Sequence, residues 1–178
     1  MADRDADTPP PHLILVGLPG VGKTTIGKRA ARQLGRQFLD FDKEIERRAG
    51  MEVREIFRLK GEDHFRSLEF ALTQELSNAG GMVLSPGGGW ITQPSSVELL
   101  RSVGRIIYLR ASPEAVARRL RRVETRPLLA GRDPVVALRE LYAKRQALYE
   151  TADFVLDTER LARQQLIAKV VELASTIR

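Results

Sequence analysis

Residues 17–25, with the sequence GLPGVGKTT, constrain the fold of this chain more than any other stretch. They fit a pattern of one glycine, four free positions and then Gly-Lys-Thr, in which glycines let backbone N–H groups turn toward a phosphate. An apolar run at residues 13–16 precedes the pattern and a helical periodicity follows it, which is the strand, loop and helix order of a phosphate-binding loop. A glycine-rich turn that merely carries a lysine is the alternative, and it accounts for neither flanking element. We therefore predict a nucleoside triphosphate site where the first helix begins.

The residue types within this loop indicate separate roles. Lys23 is long enough to reach the β- and γ-phosphates, and the Thr24 hydroxyl is a suitable ligand for Mg²⁺. The other predicted nucleotide contacts in the loop are Gly20, Val21, Gly22 and Thr25. The loop thus predicts a bound nucleoside triphosphate with Mg²⁺ as its companion ion.

Length and composition limit the remaining possibilities. The 178 residues, 43% of them hydrophobic, suit a single domain at residues 12–178 after a polar, proline-rich and flexible tail at residues 1–11. No apolar run of 18 residues is present, so we expect no membrane contact. The chain has no cysteine, which excludes disulfides and fits the cytoplasm. The net charge of +6 could suggest nucleic acid, but many arginines fall within residues 118–132, and this clustering favours local chemistry.

Two carboxylates follow the next predicted strand, at residues 37–39. In an extended chain Asp40 and Asp42 point to the same side, so both would face one site. Alternatively, Asp42 caps a helix predicted at residues 43–49, since aspartate is a favoured N-cap, and the two roles are compatible. The strand predicted at residues 82–85 ends in Ser85 rather than an acid, so Asp40 is the better candidate to support a metal ion.

Further along the chain, two arginines and a glycine triplet each allow two interpretations. Arg66 and Glu69 are spaced i,i+3 on a helix predicted at residues 62–79, where an ordinary surface salt bridge is the simpler explanation. Arg145 occupies the apolar stripe of a later helix, so either its stem snorkels past the core edge or, as we favour, its head enters a polar site that binds an anion. The triplet Gly87-Gly88-Gly89 permits close approach of a ligand, or simply forms a tight turn.

Alternating strands and helices predict a three-layer αβα fold with a parallel sheet and the triphosphate beyond the carboxyl ends of its strands. Together, the motifs of residues 13–158 closely resemble the shikimate kinase family. In chain order they are the loop at residues 17–24, Asp40-Phe41-Asp42, Phe65-Arg66 with Glu69, Ser85 with the glycine triplet, Arg126-Pro127-Leu128-Leu129, and Lys144-Arg145 before Tyr149.

The resemblance implies a P-loop, nucleoside-monophosphate-kinase-like fold with five parallel strands and a mobile lid at about residues 122–133. It also implies phosphorylation of shikimate by ATP at the 3-hydroxyl, a step of the shikimate pathway of aromatic amino acid biosynthesis. We expect a monomer without a nucleic-acid partner. By matching positions, shikimate would be held by Asp42, Arg66, Gly88, Gly89 and Arg145. The catalytic residues would be Lys23, Asp42 and Arg126, and Arg119 would lie against adenine. Thr24 would hold Mg²⁺ directly and Asp40 would hold it through water. Glu69 and Ser85 would support the residues that contact the substrates.

Two other functions stay open at this level. A kinase for another small acceptor, such as gluconate, would share the loop and the sheet, although the pair Arg66 and Arg145 favours an acceptor with a carboxylate. A non-catalytic sensor on the same fold could dispense with Lys23, Asp42 or Arg126, yet all three are present. The chain departs from the family by lacking a proline between Thr158 and the last helix, and by placing the bulky Trp90 after the glycine triplet, either in the core or at the pocket edge.

Overall fold

The computed structural model describes residues 9–120 and 133–176. Within them, five short strands form one parallel sheet in the order β2-β3-β1-β4-β5. The strands are β1 His12–Val16, β2 Phe38–Asp40, β3 Val83–Ser85, β4 Gly104–Arg110 and β5 Phe154–Asp157. Together with the flanking helices, this sheet confirms the predicted three-layer fold.

Helices connect each strand to the next, as a parallel sheet requires, and one further helix follows β5. They are α1 Lys23–Leu34, α2 Phe41–Ala49, α3 Val53–Lys60, α4 Glu62–Leu76, α5 Pro94–Val103, α6 Pro113–Leu120, α7 Pro134–Tyr149 and α8 Arg163–Thr176, with a 3₁₀ turn at Trp90–Thr92. Sequence reasoning did not predict α3, and it extended α4 to residue 79, three residues too far. Asn78 and Ala79 instead continue into a turn, in which Ala79 donates its N–H to the carbonyl of Leu76 at 3.1 Å.

The central strands supply most of the core. β1 is buried along its whole length and pairs with both β3 and β4, which explains why its sequence is an unbroken apolar run after His12. Large side chains such as Trp90 and Phe41 complete the core beside the sheet. Because β1 lies in the middle, the loop that follows it emerges at the centre of the sheet's carboxyl edge.

His12 is a buried polar residue at the start of β1. Its Nδ1 accepts the N–H of Met82 at 3.2 Å, so Nε2 carries the proton and donates it to the carbonyl of Leu76 at 3.0 Å. Burial lowers the pKa of His12, although its backbone partners oppose this shift. The neutral imidazole therefore ties β1 to the end of α4 and to the residue before β3.

The last three residues of the predicted tail contact the domain. Pro10 packs against Gly80, where a Cβ would lie 2.9 Å from the Pro10 carbonyl oxygen. The Pro11 carbonyl accepts a hydrogen bond from Arg36 Nη1 at 3.1 Å. Residues 1–8 lie outside the described residues. None of the helices in the described ranges is long and apolar enough to cross a membrane.

Candidate active site

The loop between β1 and α1 has a backbone that its glycines make possible. Gly17, Gly20 and Gly22 have φ values of 147°, 88° and 113°, which side chains rarely tolerate. Lys23 is the first residue of α1 and is only 8% exposed. Its Nζ donates to the carbonyls of Gly17 at 2.9 Å and Leu18 at 3.2 Å. Within the described residues no side chain caps the N-terminus of α1, so its first N–H groups are available to an anion.

Asp40 joins this loop to the end of β2. The Thr24 hydroxyl donates to Asp40 Oδ2 at 2.6 Å, and Asp40 Oδ1 accepts the N–H of Lys43 at 3.3 Å. Asp40, not Asp42, is therefore the N-cap of α2, so the capping alternative for Asp42 was wrong. The extended geometry expected for the two acids was also wrong, because α2 begins at Phe41, between them.

The two acids nevertheless line one cavity of about 270 Å³. The loop forms one wall through Lys23 and Thr24, and the segment after β3 forms another through Gly87 and Gly88. The cavity is also lined by Gly20, Gly22, Thr25, Asp40, Asp42, Ser85, Pro86, Arg119 and Leu120. The structure thus brings most of the predicted nucleotide-binding residues to one place, together with Asp42 and Gly88 of the predicted acceptor-binding set.

Arg66 and Glu69 form a pair beside the glycine triplet, of which Gly87 and Gly88 line this cavity. Glu69 is fully buried, so the expectation of an ordinary surface salt bridge was wrong. Its Oε2 accepts from Arg66 Nη1 and from Gln93 Nε2, the latter at 2.9 Å, while Arg66 also donates to Glu62 from Nε and Nη2. Burial raises the pKa of Glu69 to about 7, with Arg66 opposing the shift and Asp42 adding to it. Burial alone would lower the pKa of Arg66, but its contacts with Glu69 and Glu62 outweigh burial and raise it.

The glycine triplet lets these side chains converge. A Cβ on Gly88 would lie 3.2 Å from Arg145 Nη1, and one on Gly89 would lie 2.8 Å from Arg66 Cζ. A Cβ on Gly87 would lie 2.9 Å from Glu69 Oε1 and 3.0 Å from Asp42 Oδ1. The glycines therefore serve a close approach, because a methyl group would disturb the guanidinium or carboxylate beside it.

Arg145 reaches this cluster from α7. Its Nη1 is buried and has no hydrogen-bond partner within residues 9–120 and 133–176. A buried guanidinium N–H without an acceptor is costly, so this atom is suited to an anionic ligand. The structure therefore supports the interpretation in which the Arg145 guanidinium enters a polar site, rather than the one in which its stem snorkels past the core edge.

Arg119 marks the opposite end of the site. Its guanidinium donates to the Thr158 hydroxyl at 3.0 Å, to the Thr158 carbonyl at 2.8 Å and to the Val21 carbonyl at 3.3 Å. It thereby links the loop to the segment after β5. A second cavity, of about 390 Å³, adjoins it and is lined by Ala115, Arg118, Arg119, Thr158 and Glu159.

The oxygens of Thr24 and Asp40 are compatible with Mg²⁺ that also contacts substrate phosphates. No cluster of three or more His, Cys, Asp or Glu side chains suited to a metal occurs in the described part of the chain. Mg²⁺ keeps several waters and commonly takes one or two protein oxygens beside substrate phosphates. Thr24 and Asp40, 2.6 Å apart at the loop, are oxygens of that kind.

A family model described as shikimate kinase matches residues 19–175. The chain belongs to the shikimate kinase family. Shikimate kinase of Cupriavidus pinatubonensis is 43% identical over 166 residues, which cover 93% of this chain and 86% of that relative. Shikimate kinase of Thiobacillus denitrificans is 46% identical over 150 residues, covering 84% and 82% respectively.

Solved structures of the shikimate kinase family have the same fold. The structure of shikimate kinase from Acinetobacter baumannii in complex with shikimate gives a TM-score of 0.87 at 39% identity and covers 96% of both chains. A gluconokinase from Sinorhizobium meliloti gives a TM-score of 0.62 at 13% identity, which shows a shared fold alone. The first comparison confirms the fold class expected from the resemblance.

Some predicted residues lie outside the described part of the chain, and some observed contacts involve residues without a predicted role. Arg126 and most of the lid predicted at about residues 122–133 lie outside the described residues. Trp90 is fully buried, and its Nε1–H donates to Thr73 Oγ1 at 3.1 Å, so it packs in the core. Sequence reasoning gave no role to Gln93, which belongs to no motif, and assigned no hydrogen bond to Tyr149.

Proposed function

We propose that this protein transfers the γ-phosphoryl group of ATP to the 3-hydroxyl of shikimate, in the shikimate pathway of aromatic amino acid biosynthesis. The observation that carries the proposal is the meeting of Arg66 and Arg145 at the glycine triplet, beside Asp42 and the phosphate-binding loop. Family membership supports it, because the matched relatives are named shikimate kinases.

The acceptor end has the groups that a hydroxylated carboxylic acid needs. Arg66 and Arg145 would bind the carboxylate, since planar guanidinium groups match its two oxygens. Asp42 would accept hydrogen bonds from ring hydroxyls, and the N–H groups of Gly88 and Gly89 would donate to the acceptor. Glu69 would hold the Arg66 guanidinium in position by accepting a hydrogen bond from it. The buried Ser85 pairs with Asp40 between β3 and β2 and would support the cavity wall there.

The nucleotide end follows from the loop and its neighbours. The N–H groups from Gly20 to Thr25 would surround the phosphates, as a helix N-terminus favours negative charge. Lys23 would leave its loop carbonyls to contact the β- and γ-phosphates. Arg119 would lie along the adenine, and the role of Arg126 beside the transferring phosphoryl group rests on the resemblance alone.

Mg²⁺ belongs to this proposal as the ion that accompanies ATP. Thr24 would hold it directly and Asp40 would hold it through water, in keeping with their contact in the structure. When bound, Mg²⁺ neutralises phosphate charge. The chain's own cations, Lys23 and Arg126, would add to that neutralisation at the transferring group.

The protein's contribution to the transfer is mainly position and charge. The bond that forms joins the acceptor oxygen to the γ-phosphorus, the bond that breaks releases ADP, and Asp42 would accept the proton of the attacking hydroxyl. Asp42 lines the same cavity as Lys23 and Gly87, which supports this role. We further propose a cytoplasmic monomer that needs neither nucleic acid nor a membrane, and light scattering with and without substrates tests the monomeric state.

The function is tested by ADP release from MgATP in the presence of shikimate, quinate, gluconate or no acceptor. We expect ADP release that depends on shikimate, with a product heavier by one phosphate and NMR placing that phosphate at the 3-hydroxyl. Turnover with gluconate alone would contradict the assignment of Arg66 and Arg145. Binding of ATP without phosphorylation of any acceptor would support the sensor alternative.

An Asp42→Asn variant separates catalysis from binding. It keeps the size of the side chain but removes the proton acceptor, so we expect turnover to fall at least about 100-fold while ATP binding stays unchanged. Calorimetric titration with ATP provides the control. Substantial residual turnover would refute the proposed role of Asp42.

A further inference from the structure

The carbonyl of Gly88 is held differently from those of its neighbours. The carbonyls of Gly87 and Gly89 accept N–H groups from the 3₁₀ turn that follows, at 3.0 and 3.1 Å. The Gly88 carbonyl instead accepts the hydroxyl of Tyr149, at 3.0 Å, from the last residue of α7. A side chain that is 61 positions away in the chain therefore fixes one peptide of the triplet.

This contact also determines the direction of an N–H group. The Gly88 carbonyl and the Gly89 N–H belong to one planar peptide unit, and the described chain contains no cis peptide bonds. In a trans peptide these two groups point in opposite directions, so the bond from Tyr149 directs the Gly89 N–H away from α7. Within the described residues this N–H donates to no protein acceptor, and Gly89 lies against the Arg66 guanidinium.

Tyr149 is itself firmly placed. Its side chain is fully buried, and its ring stacks on that of Tyr108 with centroids 5.0 Å apart and planes inclined by 14°. Burial raises the pKa of Tyr149, against the effect of Arg145, so its hydroxyl remains a proton donor at neutral pH. Arg145 lies one turn earlier on α7 and approaches the same glycine, so α7 contacts Gly88 with two side chains.

We propose that Tyr149 is a positioning residue for the acceptor: by holding the Gly88 carbonyl, it directs the Gly89 N–H toward the oxygen atoms of the bound acid. The inference rests on the proposed function, because it assigns a role in binding that function's acceptor. The effect of Tyr149 passes through the peptide that it holds. Loss of its hydroxyl frees the peptide to rotate, which weakens acceptor binding without altering the phosphate-binding loop.

The stacked tyrosines provide a matched pair of variants. Tyr149→Phe removes the hydroxyl that holds Gly88, whereas Tyr108→Phe removes a buried hydroxyl that has no hydrogen-bond partner in the described residues. Both variants keep the rings and their stacking. For Tyr149→Phe we expect kcat/KM for shikimate to fall about three- to tenfold, the range expected for one hydrogen bond, mainly through a higher KM. For Tyr108→Phe we expect no loss, and the KM for ATP should change less than twofold in either variant.

Steady-state kinetics with each substrate varied in turn, together with thermal unfolding of all three proteins, tests the inference. Equal shikimate KM values for Tyr149→Phe and the parent would overturn it. A fall in kcat with unchanged KM values and a lower Tm would also overturn it, because that result indicates a purely structural role. A parent protein that fails to phosphorylate shikimate refutes the proposed function before either variant is compared, so the two failures are distinguishable.

Discussion

At Glu69, burial opposes ionisation of the carboxyl group and the adjacent Arg66 guanidinium favours it. A Glu69→Gln substitution measures which of these two effects is larger. Burial raises the pKa of Glu69 from 4.5 to about 7, despite the adjacent guanidinium. The folded protein then binds the Glu69 proton more tightly than the unfolded chain does. The resulting stabilisation is fully present below pH 4.5 and is lost as the pH rises through about 7.

The expected size of this loss follows from the shift. A displacement from 4.5 to about 7 corresponds to about 3 kcal/mol, at 1.36 kcal/mol for each pKa unit. Glutamine keeps the shape of the neutral acid and does not titrate. The free energy of unfolding of the parent minus that of Glu69→Gln should therefore fall by about 3 kcal/mol between pH 4.5 and pH 8.

Urea unfolding of both proteins across this pH range provides the measurement, since all other titrating groups are common to them and cancel in the difference. Glu62→Gln is the control, because Glu62 also contacts Arg66 but its side chain is 61% exposed, and we expect a change in unfolding free energy below about 1 kcal/mol. A difference that rises with pH would refute the reasoning, because it would mean that attraction to Arg66 outweighs the cost of burying the charge.

Three further predictions concern the glycine triplet, the predicted lid and the sheet. At Gly89 the backbone φ of −90° is one that alanine can adopt, but the methyl group of Gly89→Ala would lie against Arg66. We therefore expect the KM for shikimate to rise at least about tenfold while the KM for ATP stays unchanged. An unchanged KM for shikimate would contradict this. Arg126→Ala should lower turnover far more than ATP affinity, and near-normal turnover at saturating substrates would show that Arg126 is dispensable. Burial lowers the pKa of His12, and protonation of Nδ1 would remove the hydrogen bond from Met82, so the parent should lose stability relative to His12→Gln as the pH falls below 6.5. The same dependence of unfolding free energy on pH in the two proteins would argue against this.

Local sequence patterns predicted the elements whose structure depends on nearby residues. The phosphate-binding loop was predictable because glycine spacing and flanking apolar runs specify its backbone directly. The start of α7 was predictable as well, because Asp133 and Pro134 form a helix-start signal, and Asp133 accepts the N–H of Val135 at 2.8 Å. The order of the strands in the sheet, in contrast, depends on contacts between distant segments.

The errors occurred where tertiary contacts decide the outcome. Asp42 resembled an N-cap in sequence, but Asp40 takes that position while its other oxygen binds Thr24. The spacing of Arg66 and Glu69 could not reveal that Glu69 is fully buried, because burial depends on the packing of neighbouring elements. Nothing local indicated that Gln93, 24 residues away, would donate to the same carboxylate.

The location of the chain's single tryptophan gives the protein an internal optical reporter. Trp90 immediately follows Gly89, is fully buried, and donates to Thr73, whose hydroxyl in turn donates to the Glu69 carbonyl at 2.8 Å. The emission of its indole therefore depends on the polarity and rigidity of the segment that carries the proposed acceptor site. Intrinsic emission can follow events at that segment in the unlabelled protein, without interference from a second indole.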